Sequence, residues 1–296
     1  MSRKRINKSF DIFSNYNYYI PGFNREFIYL VIMFIIGSLI ASIATIAFQY
    51  GGIKYIEFIA YPIMFIPLLL FASVKSKHNQ GFEKGYKLDS SHFGNYNFFS
   101  TALIVIISTL AASTFMDITN IILPPMPEHL AELFENILNG QPLIISFISV
   151  SIFAPLFEEW LCRGLVLRGI LKNGTKPLWA IIISALFFAI IHMNPWQAVP
   201  AFALGILFGY VYYKTGSLKL VMLMHFTNNT SALILSKIPA FKDIDTIFEV
   251  LGKDITKYSI LLVISAIILG FSLSLIKKIP LGSPSGNIDE VNKVYL

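Results

Sequence analysis

Five ionisable side chains fall inside runs that are otherwise apolar: Glu158, Glu159, Arg163, His192 and His225, with Asn228 and Asn229 beside the last. An ionisable group at membrane depth is expensive, so each of them is a functional hypothesis. The two carboxylates close the nearly uncharged stretch PLIISFISVSIFAPLF. On an α-helix Glu159 and Arg163 are i,i+4 neighbours and can neutralise each other. Glu158 then points about 100° away and is left without a partner. A lone carboxylate in an apolar setting suits general-base work on water, provided that imidazoles and amides stand nearby to orient the reactants. His225 and Asn229 supply an imidazole and an amide at i,i+4 on a second run.

Other chemistries fit parts of the same set. Two histidines and two carboxylates suit zinc, although the HExxH spacing is missing. Buried polar groups also join membrane helices without doing chemistry, or form a proton or ion path. The path reading is disfavoured because the polar residues cluster in one part of the chain instead of recurring in two halves. Cys162, i+4 from Glu158, is a nucleophile in principle, but a lone buried cysteine more often acts as a small apolar residue.

The elements that must position these residues read as membrane helices. Hydrophobic residues make up 55% of the chain and charged residues only 14%, far from a soluble domain. Eight apolar runs approach the length that crosses roughly 30 Å of hydrocarbon. They are 27–48, 56–74, 98–115, 142–167, 178–192, 198–213, 218–235 and 258–276, the fifth and sixth being short. The expected fold is all-α, a polytopic membrane protein of about eight transmembrane helices around a polar cavity. NGTKP (173–177) joins the fourth and fifth runs as an antiparallel hairpin, which sets Glu158 and His192 level, each about 22 Å from the turn. The segment NIILPPMPEHLAELFENILNG reads as a proline-broken entry followed by an amphipathic interfacial helix. Gly205 and Gly209 form GxxxG and predict close helix packing, while Asn194 and Gln197 fit a plain lumenal or outer turn better than the mouth of the cavity.

Three parts are expected: a basic and aromatic cytoplasmic tail (1–25), a transmembrane domain (26–276) and a flexible cytoplasmic tail (277–296). NYNYYI in the first part reads as an interfacial anchor, and no apolar core of a signal peptide precedes Phe27. Of the 23 lysines and arginines, all but Lys54, Lys237, Lys242, Lys253 and Lys257 fall on the side of the N-terminus when eight spans are threaded. The positive-inside rule then puts both termini in the cytoplasm. The net charge of +6 thus follows from membrane topology, and nucleic acid is not a needed partner. One cysteine excludes an intrachain disulfide.

EEWLCR (158–163) matches the EExxxR motif, FAIIH (188–192) matches FxxxH and HFTNN (225–229) matches HxxxN of the CPBP family, the CAAX proteases and bacteriocin-processing enzymes also called Abi. TGSL (215–218) is similar to that family's usual lead-in to the last motif. The resemblance covers about 142–235. It implies an intramembrane glutamic endopeptidase that needs neither metal nor other cofactor. Glu158 would activate water, His192 would help hold it, and His225 and Asn229 would donate hydrogen bonds to the oxyanion. Glu159 and Arg163 would lock the helix. The implied partners are the lipid bilayer and a peptide or membrane-protein substrate, and the implied location is the cell membrane. A metal-dependent membrane protease, and a non-catalytic immunity or scaffold protein of the same fold, are the alternatives.

Overall fold

The computed structural model describes residues 13–22, 25–52, 55–82, 85–138, 140–238 and 246–281. Helices form at all eight apolar runs: α1 (Arg25–Tyr50), α2 (Ile56–Asn79), α3 (Phe98–Met116), then the amphipathic α4 (Glu128–Leu138), followed by α5 (Leu143–Lys172), α6 (Pro177–Ile190), α7 (Pro195–Thr215), α8 (Leu218–Ser236) and α9 (Ile255–Lys277). No strand occurs among the described residues. Local chemistry sets the ends. Asn97, Asn194, Ser217 and Asp254 each accept a backbone N–H as N-cap, and Gly216 ends α7 at φ +61°.

Among the described residues five helices are long and apolar enough to cross a membrane: α1, α2 from Phe58, α3 continued to Ile122, α5 and α9. The other three of the eight expected runs are helical too but fall short of that length or apolarity. α6 is shorter, and α7 and α8 are long enough but do not pass as apolar spans. α8 carries His225, Thr227, Asn228, Asn229, Thr230 and Ser231 and lies against α3, α5 and α7, so protein and not lipid meets much of its surface. The outer helices do the reverse. Ile28, Ile32, Leu39, Ile43 and Ile46 on α1, with Ile260, Val263, Ile267 and Phe271 on α9, are exposed. In water such faces would exceed the apolar patches a soluble monomer tolerates; in hydrocarbon they carry no penalty. The chain is an integral membrane protein.

The core is built on α5, in which every side chain from Glu159 to Leu171 is buried. α1 pairs with α2, α6 with α7 and α9 with α3. The GxxxG face of α7 meets α6, where a Cβ on Gly205 would lie 3.1 Å from Ala185 and one on Gly209 3.1 Å from Ile181 Cγ2. That agrees with the packing read from the sequence. α5 departs from expectation in its winding. Residues 147–153 and 160–167 are π-helical, with the Ala154 N–H reaching the Ser149 carbonyl five residues back. Such π-turns are rare and often accompany functional sites.

NYNYYI packs onto the helices: Tyr19 and Ile20 are buried, and Tyr16 meets the Trp160 ring edge-on at 5.1 Å. The Tyr86 N–H donates to the Asn17 carbonyl (2.8 Å) and the Tyr18 N–H to Ser76 Oγ (3.1 Å). The basic residues Arg3 to Lys8, and most of the expected C-terminal tail (282–296), lie outside the described residues. Within that tail Ile279 is buried and Pro280 abuts Gly94.

Candidate functional site

Glu159 and Arg163 form the deepest part of the site. Arg163 Nη1 lies 2.9 Å from Glu159 Oε1 and 2.8 Å from Oε2, with both side chains 0% exposed. Nη2 donates to the Gly205 carbonyl at 3.0 Å. The guanidinium stands over the rings of Phe188 (4.6 Å) and Phe208 (5.5 Å), a favourable setting for a desolvated cation. The small residues of α7 therefore matter twice, since they bring α6 close and leave the Gly205 carbonyl within reach of Arg163.

His225 joins the two carboxylates. Its Nδ1 lies 2.9 Å from Glu159 Oε1, and its Nε2 lies 4.0 Å from Glu158 Oε2. A carboxylate paired with arginine accepts only, so Nδ1 carries the proton. Adjacent residues on α5 diverge by about 100°, and an imidazole with nitrogens on two edges spans that angle. Nε2 is an acceptor in neutral imidazole and a donor only in imidazolium.

Glu158 is not without a partner, as its sequence position had implied. Its Oε1 accepts the hydroxyl of Tyr61 on α2. Its Oε2 is buried and has no hydrogen-bond partner. Sequence reasoning missed Tyr61. The available signal was the aromatic face Phe58, Tyr61 and Phe65 on one run, but periodicity alone does not say which helix a face meets.

His192 lies beyond the end of α6, past the C-cap Ile191. Its Nδ1 donates to the Phe188 carbonyl at 2.8 Å, which leaves Nε2 as the acceptor nitrogen. The Phe188 ring stands edge-on to both imidazoles, 5.0 Å from His192 and 5.5 Å from His225, so one aromatic ring ties the two histidines together. Asn229 is one turn beyond His225 on α8. Its Nδ2 donates to the Val150 carbonyl on α5 (2.8 Å), and its Oδ1 accepts from Asn228 (3.0 Å), whose own Oδ1 accepts from Ser113 on α3 (2.7 Å). One N–H of Asn229 remains for another acceptor.

The remaining sequence candidates have structural duties. Asn194 caps α7 and Gln197 bonds to it. Cys162 is buried, and its carbonyl accepts Ser184 Oγ at 2.9 Å, which satisfies a backbone group inside the π-helical stretch. Among the described residues no three His, Cys, Asp or Glu side chains are grouped as metal ligands would be.

A family model described as type II CAAX prenyl endopeptidase, Rce1-like, matches residues 140–231. It spans all three motifs, from Glu158 to Asn229, and leaves α1, α2, α3 and α9 outside. This is a protease family, the one the motifs resemble. No curated protein matches the chain. No solved structure matches it either.

Proposed function

From a core that matches the CAAX prenyl endopeptidases over residues 140–231, we propose that the protein is an intramembrane endopeptidase that hydrolyses a peptide bond of a membrane-associated peptide or protein, with water activated by Glu158. The observation that carries this reading is the asymmetry of the two carboxylates. Both oxygens of Glu159 lie within 2.9 Å of Arg163 Nη1 and one also meets His225 Nδ1, whereas the buried Oε2 of Glu158 has no cation or donor nearer than His225 Nε2 at 4.0 Å among the described contacts.

In this mechanism Glu158 Oε2 takes a proton from water as the water oxygen bonds to the scissile carbonyl carbon. His192 Nε2, fixed as an acceptor, orients the second O–H of that water. The carbonyl electron pair moves to oxygen, and the oxyanion accepts hydrogen bonds from the remaining N–H of Asn229 and from His225 Nε2 in its protonated form. One such donor is worth on the order of a hundredfold in rate. Collapse of the intermediate breaks the C–N bond, and Glu158 returns its proton to the leaving amine. Glu159 sets the imidazole by accepting from Nδ1, and Arg163 balances the charge of Glu159. The mechanism assigns no step to a metal. We place the protein in the cell membrane with both termini cytoplasmic, a reading that takes all eight helical runs through the membrane, since 18 of the 23 lysines and arginines then fall on the cytoplasmic side.

The test is turnover by purified protein in nanodiscs, offered prenylated and unmodified peptides, with products read by mass spectrometry. Glu158→Gln keeps the shape and removes the proton acceptor, so cleavage should fall by orders of magnitude, and dialysis against a strong chelator should leave it intact. Cleavage by Glu158→Gln near the wild-type rate refutes the base, and activity lost to chelation and restored by zinc moves the assignment to a metalloprotease.

A further inference from the structure

We propose that Tyr61 is a positioning residue that anchors Oε1 of Glu158, so that Oε2 alone accepts the proton. The proposal rests on the endopeptidase reading and deepens it, because α2 lies outside the residues that match the family model.

The first support is the split in the carboxylate. Oε1 accepts the Tyr61 hydroxyl, while Oε2 is buried, unpartnered and 4.0 Å from His225 Nε2. A glutamate side chain has three rotatable torsions, and the last is broad and two-fold. Rotation about it exchanges the two oxygens. A donor on one oxygen removes that degeneracy and aims the other, which is how a positioned base saves orientation entropy.

The second support is the fixing of the donor itself. Phe58 stacks on Phe153 (5.5 Å between centroids, 26°) and Phe65 on Phe157 (5.0 Å, 14°). Positions 58, 61 and 65 share one face of α2 at i, i+3 and i+7, so the stacked pairs pin α2 to α5 on both sides of Tyr61. The Tyr61 ring also lies 5.7 Å from Phe65. Residue type is the third support. Tyrosine offers one hydroxyl on an apolar ring. It holds a carboxylate at membrane depth without adding a charge, whereas a lysine there would neutralise the base.

The experiment compares wild type, Tyr61→Phe and Phe58→Leu in nanodiscs by three readings: steady-state kinetics, melting temperature, and the infrared carboxyl band that disappears in Glu158→Gln. Tyr61→Phe keeps the ring and loses only the hydroxyl. Its kcat should fall about ten- to a hundredfold with KM changed less than about twofold, its melting temperature should stay near wild type, and the Glu158 band should shift. Phe58→Leu loosens the same interface but keeps the hydroxyl, so its melting temperature should fall while the band stays in place. A wild-type kcat in Tyr61→Phe overturns the proposal, as does a fall in kcat matched by an equal loss of stability in both variants. If the wild type cleaves nothing, the endopeptidase reading falls separately. The infrared arm still decides then: an unshifted band overturns the hold of Tyr61 on Glu158, and a shifted band upholds it.

Discussion

Replacing Glu159 by alanine is the sharpest test of how the two carboxylates divide their work. The change removes the partner of a guanidinium that is 0% exposed, leaving Arg163 with the Gly205 carbonyl and two aromatic faces. It also strands the Nδ1–H of His225. Breaking a buried pair from one side costs about 3–5 kcal/mol. For a chain of this size each kcal/mol lowers the melting temperature by about 2 °C, so the expected fall is about 6–10 °C. The double change Glu159→Ala with Arg163→Ala strands no cation and should recover part of that loss. Glu158→Ala strands only the Tyr61 hydroxyl and should cost about 1–3 kcal/mol, which is less than Glu159→Ala. Thermal melts in detergent on the four proteins, each run beside the peptide-cleavage assay, read these differences. Refutation is a Glu159→Ala protein that melts within about 2 °C of wild type, or a double variant less stable than the single one. If Glu158→Ala is the less stable of the two, the base and the clamp are reversed.

Three further outcomes are expected. A Cβ on Gly205 would sit 3.1 Å from Ala185 and 3.3 Å from Phe188 Cδ1, so Gly205→Leu should push α7 from α6, move Phe188 off Arg163 and cost about 1–3 kcal/mol. Gly270→Leu on α9, where nothing lies within 4 Å, should leave the melt unchanged. At the start of α9 the backbone N–H of Lys257, with that of Thr256, holds the Asp254 carboxyl below the usual carboxylate range. Its folded value is depressed, so its stabilisation is present above the unfolded value of about 3.9 and is lost as pH falls through the folded one. The difference in melting temperature between wild type and Asp254→Asn should therefore shrink below about pH 4.

Contacts between near neighbours in the chain were legible, and those set by packing were not. The approach of Glu159 to Arg163 follows from a spacing of four on one helix, and the close passage of α7 against α6 follows from two glycines on one face. The hold of Tyr61 on Glu158 joins residues 97 apart, and nothing local in either run encodes it. The same applies to His225, whose i,i+4 relation to Asn229 was plain but whose bridge between two carboxylates needs α8 laid against α5. His192 was expected within a helix that ends before it. The composition of NYNYYI is that of an interfacial anchor, and its contacts with Ser76 and Trp160 depend on how α2 and α5 pack, which no local pattern encodes.

The two π-helical stretches of α5 carry a consequence for how the motifs are written. A π-turn takes one more residue to come round than an α-turn, so it acts as an insertion absorbed inside the helix. The stretch at 147–153 shifts the phase of Glu158 and Glu159 relative to the start of α5, and the one at 160–167 shifts everything after the pair. Taking one apolar residue out of the first stretch would let an α-helix run through and turn the carboxylates by about 100° against Tyr61 and His225. Every letter of the three motifs would still be present, yet the letters would face the wrong neighbours. The motif is therefore a statement about rotational phase as much as about residue type, and the featureless residues before it keep that phase.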